Sequence, residues 1–178
     1  TDLSGRLLAV QVVSGSTITM NITPLTTIAA QKAGLAADGS GTIANAAAVT
    51  SANQAVATAF GLTGIDLLGT TPVATNGGQY NPDDGLSSGE AIGAVLAALS
   101  GIDALNGGNM QTTINSAAGS LTVTGNTGVL GETVQLRLME GAARADANTA
   151  GNLQQLVSDR LAAAVQGAQV TINTIGGD

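Results

Sequence analysis

The sequence predicts an α+β fold in which an alanine-rich helical core carries an N-terminal β-hairpin and short peripheral strands. Apolar residues recur at helical spacing behind capping residues in the middle of the chain, but they alternate with polar residues near its ends. The apolar content of 44% comes mainly from Ala, Val, Leu and Ile, with Phe60 and Tyr80 as the only aromatic residues. We therefore expect a core of many small contacts, because buried apolar surface contributes only about 25 cal/mol per Å².

A chain of 178 residues suits one domain and is short for two independent cores. We expect a single domain over residues 1–178, with a β-hairpin lead-in at 1–22, a helical core at 23–118, and strands plus a final helix at 119–178. No apolar run reaches the length of about 18 residues that a membrane span needs, and no signal-like segment follows Thr1. We expect a chain that does not span a membrane and that was cut or processed from something longer.

The N-terminal hairpin is predicted from two β-forming runs that flank the turn-forming triplet Ser14-Gly15-Ser16. Residues 6–13 are rich in Val and Leu, and residues 17–22 alternate Thr or Asn with apolar side chains. Helical spacing begins at Thr23, whose hydroxyl can cap a helix, and Pro24 suits the first helical position. The junction between strand and helix is therefore expected at Thr23.

Two further helices are predicted in the middle of the chain. The first begins at a Thr42 cap and ends at Gly61, just as Gly34 ends the helix before it. Its apolar stripe comprises Val49, Ala52, Val56 and Phe60. The second opens with a capping box in which Ser87 bonds forward and Glu90 bonds back. Its apolar face, which predicts the central helix of the core, comprises Ile92, Val95, Leu96 and Leu99.

The C-terminal third is predicted to mix helices with strands. A short helix over residues 110–118 precedes a strand at 121–124 and a turn at Gly125-Asn126. The next apolar residues alternate with polar ones, which favours a strand; they are Val134, Leu136 and Leu138. A last helix is expected over residues 152–166, and Val170 and Ile172 are expected in a closing strand.

The composition excludes several classes of function. A net charge of −7 and five scattered basic residues argue against a nucleic-acid partner, because phosphate binding needs clustered Lys and Arg. Without His or Cys there is no Ser-His-Asp or Cys-His arrangement and no zinc site of imidazole or thiolate ligands. Lys32 falls on the polar face of a helix, where a solvated lysine is expected. An acid-pair hydrolase is a further alternative, but glycosidase clefts usually use aromatic platforms and this chain has almost no aromatic residues. We therefore expect a protein that is not an enzyme.

A loop at residues 76–85 has the highest density of turn-forming residues and is expected to be the most mobile. Asp83 and Asp84, with Glu90 nearby, form the only tight acidic cluster and are the candidate calcium ligands. The spacing does not fit an EF-hand, because Ala91 occupies the position of its bidentate glutamate. The alternative, which we favour, is that these acids complement a helix N-terminus, where negative charge contributes about 0.3–1 kcal/mol.

The same loop contains the candidate ligand-binding residues Tyr80 and Asn81. Tyr80, as the only phenol, is a candidate recognition residue at a mobile tip. The alternative is that its ring folds back onto the domain. In the first case the loop and Glu90 would form a calcium-dependent module for a peptide or sugar.

Four segments together resemble the modules of very large bacterial surface proteins. In that family an "ITPLTT" segment follows a β-sandwich-like unit and leads into a helical region that ends in a "GL…DL…P" pattern. The resemblance covers residues 18–105, and its segments are Asn21-Ile22-Thr23-Pro24-Leu25-Thr26-Thr27, Ala59-Phe60-Gly61-Leu62, Ile65-Asp66-Leu67 and Thr71-Pro72-Val73. It implies secretion, modular repetition on a long chain, and a structural or adhesive role without catalytic residues.

The combined prediction is a non-enzymatic module of an extracellular bacterial adhesin, biofilm or surface-layer protein. Its partners would be neighbouring modules of the same long chain or copies of itself. Proteins of the family often use calcium for rigidity, but this chain lacks their repeated Asp-rich or Gly-Asp motifs, so calcium remains a hypothesis. The alternative functions are a subunit of a self-assembling extracellular filament and a calcium-dependent ligand-binding module.

Overall fold

The structure, a computed structural model, describes residues 5–15, 17–146 and 153–175 and confirms the helix-dominated α+β class. Within these ranges the elements are α1 (Pro24–Lys32), α2 (Ala46–Ala59), a 3₁₀ turn (Pro82–Asp84), α3 (Ser88–Leu105), α4 (Met110–Ser120), β1 (Thr122–Thr124), β2 (Thr127–Val129), α5 (Glu132–Asp146) and α6 (Leu153–Ile175). Helices α1, α4, α5 and α6 pack on α3, and β1 and β2 form a small antiparallel sheet that packs on α2.

Helix α1 begins as its sequence predicts. The Thr23 hydroxyl accepts a hydrogen bond from the Thr26 N–H at 3.2 Å, and the Thr26 hydroxyl accepts one from the Thr23 N–H at 2.8 Å. Pro24 occupies the first helical position, and Gly34 follows the helix with a φ of 123°. Residues 25–30 are all buried, so this short helix is enclosed on every side.

Helix α2 begins later than predicted, because Asn45 and not Thr42 is its N-cap. The Asn45 side chain accepts a hydrogen bond from the Ala48 N–H at 2.9 Å. Thr42 lies in an extended segment, where its carbonyl packs against Gly34 and Gly41 forms an isolated β-bridge with Leu35. The hydroxyl therefore precedes the helix by too many residues to cap it. The predicted apolar stripe of α2 is buried, and Gly61 ends the helix with a φ of 68°.

Helix α3 is the centre of the core, as predicted. Its N-terminal capping box is formed, with the Glu90 N–H donating to Ser87 Oγ at 3.3 Å and the Ser87 N–H donating to Glu90 Oε2 at 2.8 Å. The helix is long and apolar enough to cross a membrane by length and composition alone. However, 61% of that window is buried inside the fold, as expected of a core helix.

Two predicted strands in the C-terminal third are wrong. Val134, Leu136 and Leu138 belong to α5, in which Val134 and Leu138 are buried four residues apart while Leu136 is 54% exposed. The alternation of six residues fitted a strand as well as one side of a helix. This segment packs on α3, and that contact favours the helix. The predicted closing strand at Val170 and Ile172 is part of α6, and the predicted start of that helix at Asn152 lies outside the described residues.

The strand predicted at 121–124 is confirmed as β1, and β2 follows directly. Thr124 pairs with Thr127 across the Gly125-Asn126 turn, and Gly125 has the positive φ of 57° that such a tight turn requires. Gly128 of β2 packs against the backbone of α2 at Ala55, where a Cβ would overlap the Ala55 carbonyl oxygen. The small sheet is thereby fixed to the helical body.

The predicted N-terminal hairpin does not form among the described residues. We call residues 9–15 and 17–22 the N-terminal arm; they belong to no helix or strand. The arm starts where the Leu8 N–H donates to Thr27 Oγ1 at 2.9 Å, and it returns where the Asn21 N–H donates to the Leu68 carbonyl at 2.8 Å. A two-stranded hairpin alone is marginally stable, and here each end of the arm bonds to the helical body instead.

Candidate functional site

The acidic loop is built around the carboxylate of Glu90. Its Oε1 accepts a hydrogen bond from the Asn81 N–H and its Oε2 one from the Ser87 N–H, both at 2.8 Å. These bonds, first the one from Asn81, hold the pKa of Glu90 below its ordinary value. Glu90 is buried, with 6% of its surface exposed. Both carboxylate oxygens are therefore engaged by backbone donors that fix the loop to the start of α3.

The other two candidate calcium ligands lie in the 3₁₀ turn and do not converge on Glu90. Asp83 and Asp84 are both exposed, and Asp84 Oδ2 accepts a hydrogen bond from the Asn81 side-chain amide at 3.0 Å. In the part of the chain that the structure describes, no group of three or more acidic side chains could hold a metal ion together. Asp83 and Asp84 lie in the turn that precedes α3, and calcium binding stays a prediction.

The structure places the ring of Tyr80 inside the protein. The residue is 4% exposed, and its hydroxyl is buried without a hydrogen-bond partner among the described residues. Burial, followed by the negative charges of Glu90 and Asp146, raises the pKa of this phenol, while Arg160 opposes the shift. Tyr80 therefore follows the folded-back alternative and does not present a recognition surface, whereas Asn81 is exposed beside it.

Arg160 of α6 borders this buried region from the other side. Its Nη1 donates to the Gly61 carbonyl at 3.0 Å, but its Nε is buried and has no partner in the part of the chain that the structure describes. Burial lowers the pKa of the Arg160 guanidinium, and the interaction with Tyr80 partly offsets the effect. The cation links α6 to the end of α2, so its role is to hold helices together.

A second candidate site is the N-terminal arm, which exposes apolar side chains in an unusual concentration. The described residues contain eight exposed large hydrophobic side chains; four of them lie in the arm, and a fifth, Leu7, lies just before it. These five are Leu7 (43% exposed), Val12 (43%), Val13 (59%), Ile18 (41%) and Ile22 (56%). Because single exposed aliphatics are ordinary but a cluster marks an interaction surface, the arm is the strongest candidate for a contact site.

A cleft of about 550 Å³ lies directly beside the arm. Its walls are Gln11 and Val12 of the arm, the exposed side of α2, the loop at residues 63–68, and Asn126 of the β-turn. Asn53 lies on the α2 wall, where its amide group donates to the Val49 carbonyl at 3.0 Å and to the Val10 carbonyl at 3.3 Å. Its Oδ1 is shielded from solvent and has no hydrogen-bond partner among the described residues.

A larger groove of about 860 Å³ runs between the loop at residues 72–76 and one side of α3 and α5. Small and aliphatic side chains line most of it, and Arg144 is its one charged lining residue. The arm and its cleft therefore remain the better-defined site.

No family model matches this chain, and no curated protein or solved structure is significantly similar to it. The functional interpretation rests for that reason on the geometry of the arm, the cleft and the acidic loop.

Sequence reasoning identified the β-forming pattern of the arm but missed the cleft and Asn53. One signal was present: Asn53 interrupts an alanine-rich helix, and Asn is an unfavourable residue in a helix interior. What the pattern could not reveal is that residues 63–68 and the turn at Asn126 would converge on that part of α2.

Proposed function

We propose that this chain is a non-enzymatic structural and adhesive module of a secreted bacterial surface protein, of the adhesin, biofilm or surface-layer kind. The observation that carries the proposal is the N-terminal arm, which has a β-strand sequence and exposed aliphatic side chains but no partner strand in the described chain. A segment of that kind serves association with another polypeptide. The resemblance of residues 18–105 to surface-protein modules points to the same role.

The composition of the helical body supports a structural role. Charged residues make up only 10% of the sequence, and the core consists mainly of Ala, Val, Leu and Ile. Capping boxes fix the starts of α1 and α3. The arm is tied at both ends to this body through Leu8 and Asn21. A pull or contact on the arm would therefore be transmitted directly to packed helices.

The proposal is tested by displaying the chain on the surface of a bacterial host that neither clumps nor attaches to surfaces. We expect the displayed chain to increase attachment of the cells to one another or to a solid support. A Val13→Lys variant, which places a charge at the most exposed of the large hydrophobic side chains, should abolish the increase. Leu136→Lys is the matched control, because Leu136 is 54% exposed on α5.

Equal expression of all three displayed proteins must be confirmed with an epitope tag. Cells that carry the wild-type chain but behave like cells with an empty display scaffold would contradict the proposal. Attachment that survives Val13→Lys and disappears with Leu136→Lys would place the contact elsewhere and remove the arm from the argument.

The second candidate function is a subunit of a self-assembling extracellular filament, and the same unpaired arm favours it. The two functions differ in the geometry of association, since only a heterologous head-to-tail contact that does not close generates a filament. Open-ended growth of the purified chain, seen as steadily heavier boundaries in sedimentation velocity and as fibres by electron microscopy, would favour the filament.

A further inference from the structure

The triplet Asn-Gly-Gly occurs twice in the chain, at residues 76–78 and 106–108. An asparagine that precedes a glycine loses its side-chain amide most readily, because glycine has no Cβ to hinder attack by its own backbone nitrogen. The local sequence is the same at both places, so the two asparagines have similar intrinsic reactivity. A difference between their rates in the folded chain must therefore come from the structure.

The structure restrains Asn106 through its backbone and its side chain. The residue is the C-cap of α3, and its N–H donates to the Ile102 carbonyl at 2.9 Å and to the Asp103 carbonyl at 3.0 Å. Its side-chain Nδ2 donates to Thr113 Oγ1 at 3.3 Å, and its Oδ1 accepts from Arg137 Nη1 at 3.0 Å. Attack on its Cγ would require the release of these bonds, so Asn106 should react slowly.

Asn76 has none of these restraints. The residue is exposed, and neither its side chain nor its backbone makes a hydrogen bond with another described residue. The one bond at the reacting position is that of the Gly77 N–H, which donates to the Ala74 carbonyl at 3.0 Å. This turn bond must open before the Gly77 nitrogen can attack, and a single bond of that kind slows the reaction by at most about tenfold.

The backbone conformation does not require a glycine at position 77. Gly77 has no positive φ, and an added Cβ would lie 3.3 Å from the carbonyl oxygen of Ala74, which is itself exposed and can yield. By contrast, Gly107 has a φ of 78°, which a residue with a side chain rarely adopts. Gly77→Ala is therefore a variant that should fold and yet change the reactivity of Asn76.

We propose that Asn76 is a site of spontaneous deamidation, and that the reaction adds a negative charge to the groove that Arg144 lines. The Gly77 nitrogen attacks Asn76 Cγ, so that a new C–N bond forms and the bond from Cγ to Nδ2 breaks. The proton of the Gly77 N–H leaves with Nδ2 as ammonia, and the product is a cyclic succinimide. Water then opens the ring, at the side-chain carbonyl to give aspartate or at the main-chain carbonyl to give isoaspartate.

The consequence is a change of charge in the groove between the loop at residues 72–76 and helices α3 and α5. Asn76 and Arg144 both line this groove, and Arg144 is its one charged lining residue. A carboxylate at position 76 makes the net charge one unit more negative than −7 and gives the groove a charge of each sign. The isoaspartyl product also lengthens the main chain next to Gly77, whose carbonyl accepts from the Tyr80 N–H at 3.1 Å. These effects go beyond the proposed adhesive function and do not depend on it.

Peptide mapping by mass spectrometry, on purified chain aged at mildly alkaline pH, tests the proposal. Cleavage after Glu90 places the two triplets on different peptides. In the folded chain we expect Asn76 to convert at least about tenfold faster than Asn106, whereas in urea the two rates should agree within about twofold. Ion-exchange chromatography should show a more acidic species that accumulates at the rate measured for Asn76.

Two variants test the chemistry. Gly77→Ala should slow the conversion of Asn76 at least about tenfold, because the new Cβ hinders the attacking nitrogen. Asn76→Gln should abolish the acidic species, and circular dichroism establishes that both variants are folded. Equal rates at Asn76 and Asn106 in the folded chain would overturn the proposal, as would an Asn76 that stays unconverted while the unfolded chain reacts. Conversion that Gly77→Ala does not slow would overturn the attack by the Gly77 nitrogen.

Discussion

The closest helix contact in the fold is the crossing of α3 and α5 at Gly101 and Gly141, and it yields the sharpest stability prediction. A Cβ added to Gly101 would overlap the carbonyl oxygen of Gly141 and lie 2.6 Å from its carbonyl carbon. A Cβ added to Gly141 would overlap the carbonyl oxygen of Ala98 and lie 2.8 Å from the Ile102 N. These neighbours are backbone atoms, which cannot rotate away, so the helices would have to separate.

The expected cost follows from two opposing effects. Overpacking a core typically costs about 1–3 kcal/mol, and contact with backbone atoms places this case at the upper end. Replacing Gly by Ala in a helix stabilises the helix by up to about 1 kcal/mol, because Ala has the higher helix propensity. We therefore expect Gly101→Ala and Gly141→Ala each to lower the free energy of unfolding by about 2 kcal/mol. Because the two glycines touch, the double variant should cost less than the sum.

Gly119→Ala is the matched control. Gly119 also lies in a helix without a positive φ, but an added Cβ there would meet no atom within 4 Å. Propensity acts alone at this site, so we expect a gain of about 0.5 kcal/mol. Urea denaturation followed by far-ultraviolet circular dichroism measures all four variants. Equal stabilities for Gly101→Ala and Gly119→Ala would refute the close approach of α3 and α5.

Three further predictions concern the acidic loop. Glu90→Gln should lower the melting temperature at neutral pH, and the gap between wild type and variant should shrink as the pH falls below 4.5. The depressed pKa of Glu90 means that the charged carboxylate stabilises the fold and that this stability is lost on protonation. A gap in melting temperature that does not depend on pH would contradict this. Tyr80→Phe should raise the free energy of unfolding by about 1 kcal/mol, because the buried hydroxyl has no hydrogen-bond partner among the described residues. A destabilised variant would show that the hydroxyl does have a partner. The raised pKa of Tyr80 also means that only the wild type should lose stability as the pH rises above 10.0, which thermal melts at alkaline pH would reveal. Calcium should leave the melting temperature unchanged in the wild type and in the Asp83→Ala, Asp84→Ala variant. A rise in melting temperature that only the wild type shows would support the function as a calcium-dependent module.

Local signals in the sequence were sufficient for the helix starts. The Thr23-Pro24 junction and the Ser87 to Glu90 capping box involve residues within four positions of one another, so no distant contact was needed to predict them. The Thr42 cap was wrong for the opposite reason. The contact of its carbonyl with Gly34 comes from a different part of the chain and holds the segment extended.

The wrong strand prediction at residues 134–138 also results from a contact with another part of the chain. Six alternating residues satisfy both a strand and one side of a helix, and only the packing partner decides between them. That partner is α3, which approaches closely because Gly101 and Gly141 face each other. The glycines were visible in the sequence, but their proximity was not, since 40 positions separate them.

The N-terminal arm is a failure of a different kind, because its β pattern is genuine but its partner is not among the described residues. At α5 a competing contact replaced the predicted strand, whereas residues 11–14 and 17–20 belong to no strand and their backbone groups make no hydrogen bond to another described residue. The arm has a β-forming sequence without charged residues and is bonded at both ends to the rest of the fold, but it pairs with no strand among the described residues. Its local sequence preference is therefore not satisfied within the described chain. Such violations are expected at functional sites, and a second strand from outside the chain would remove this one.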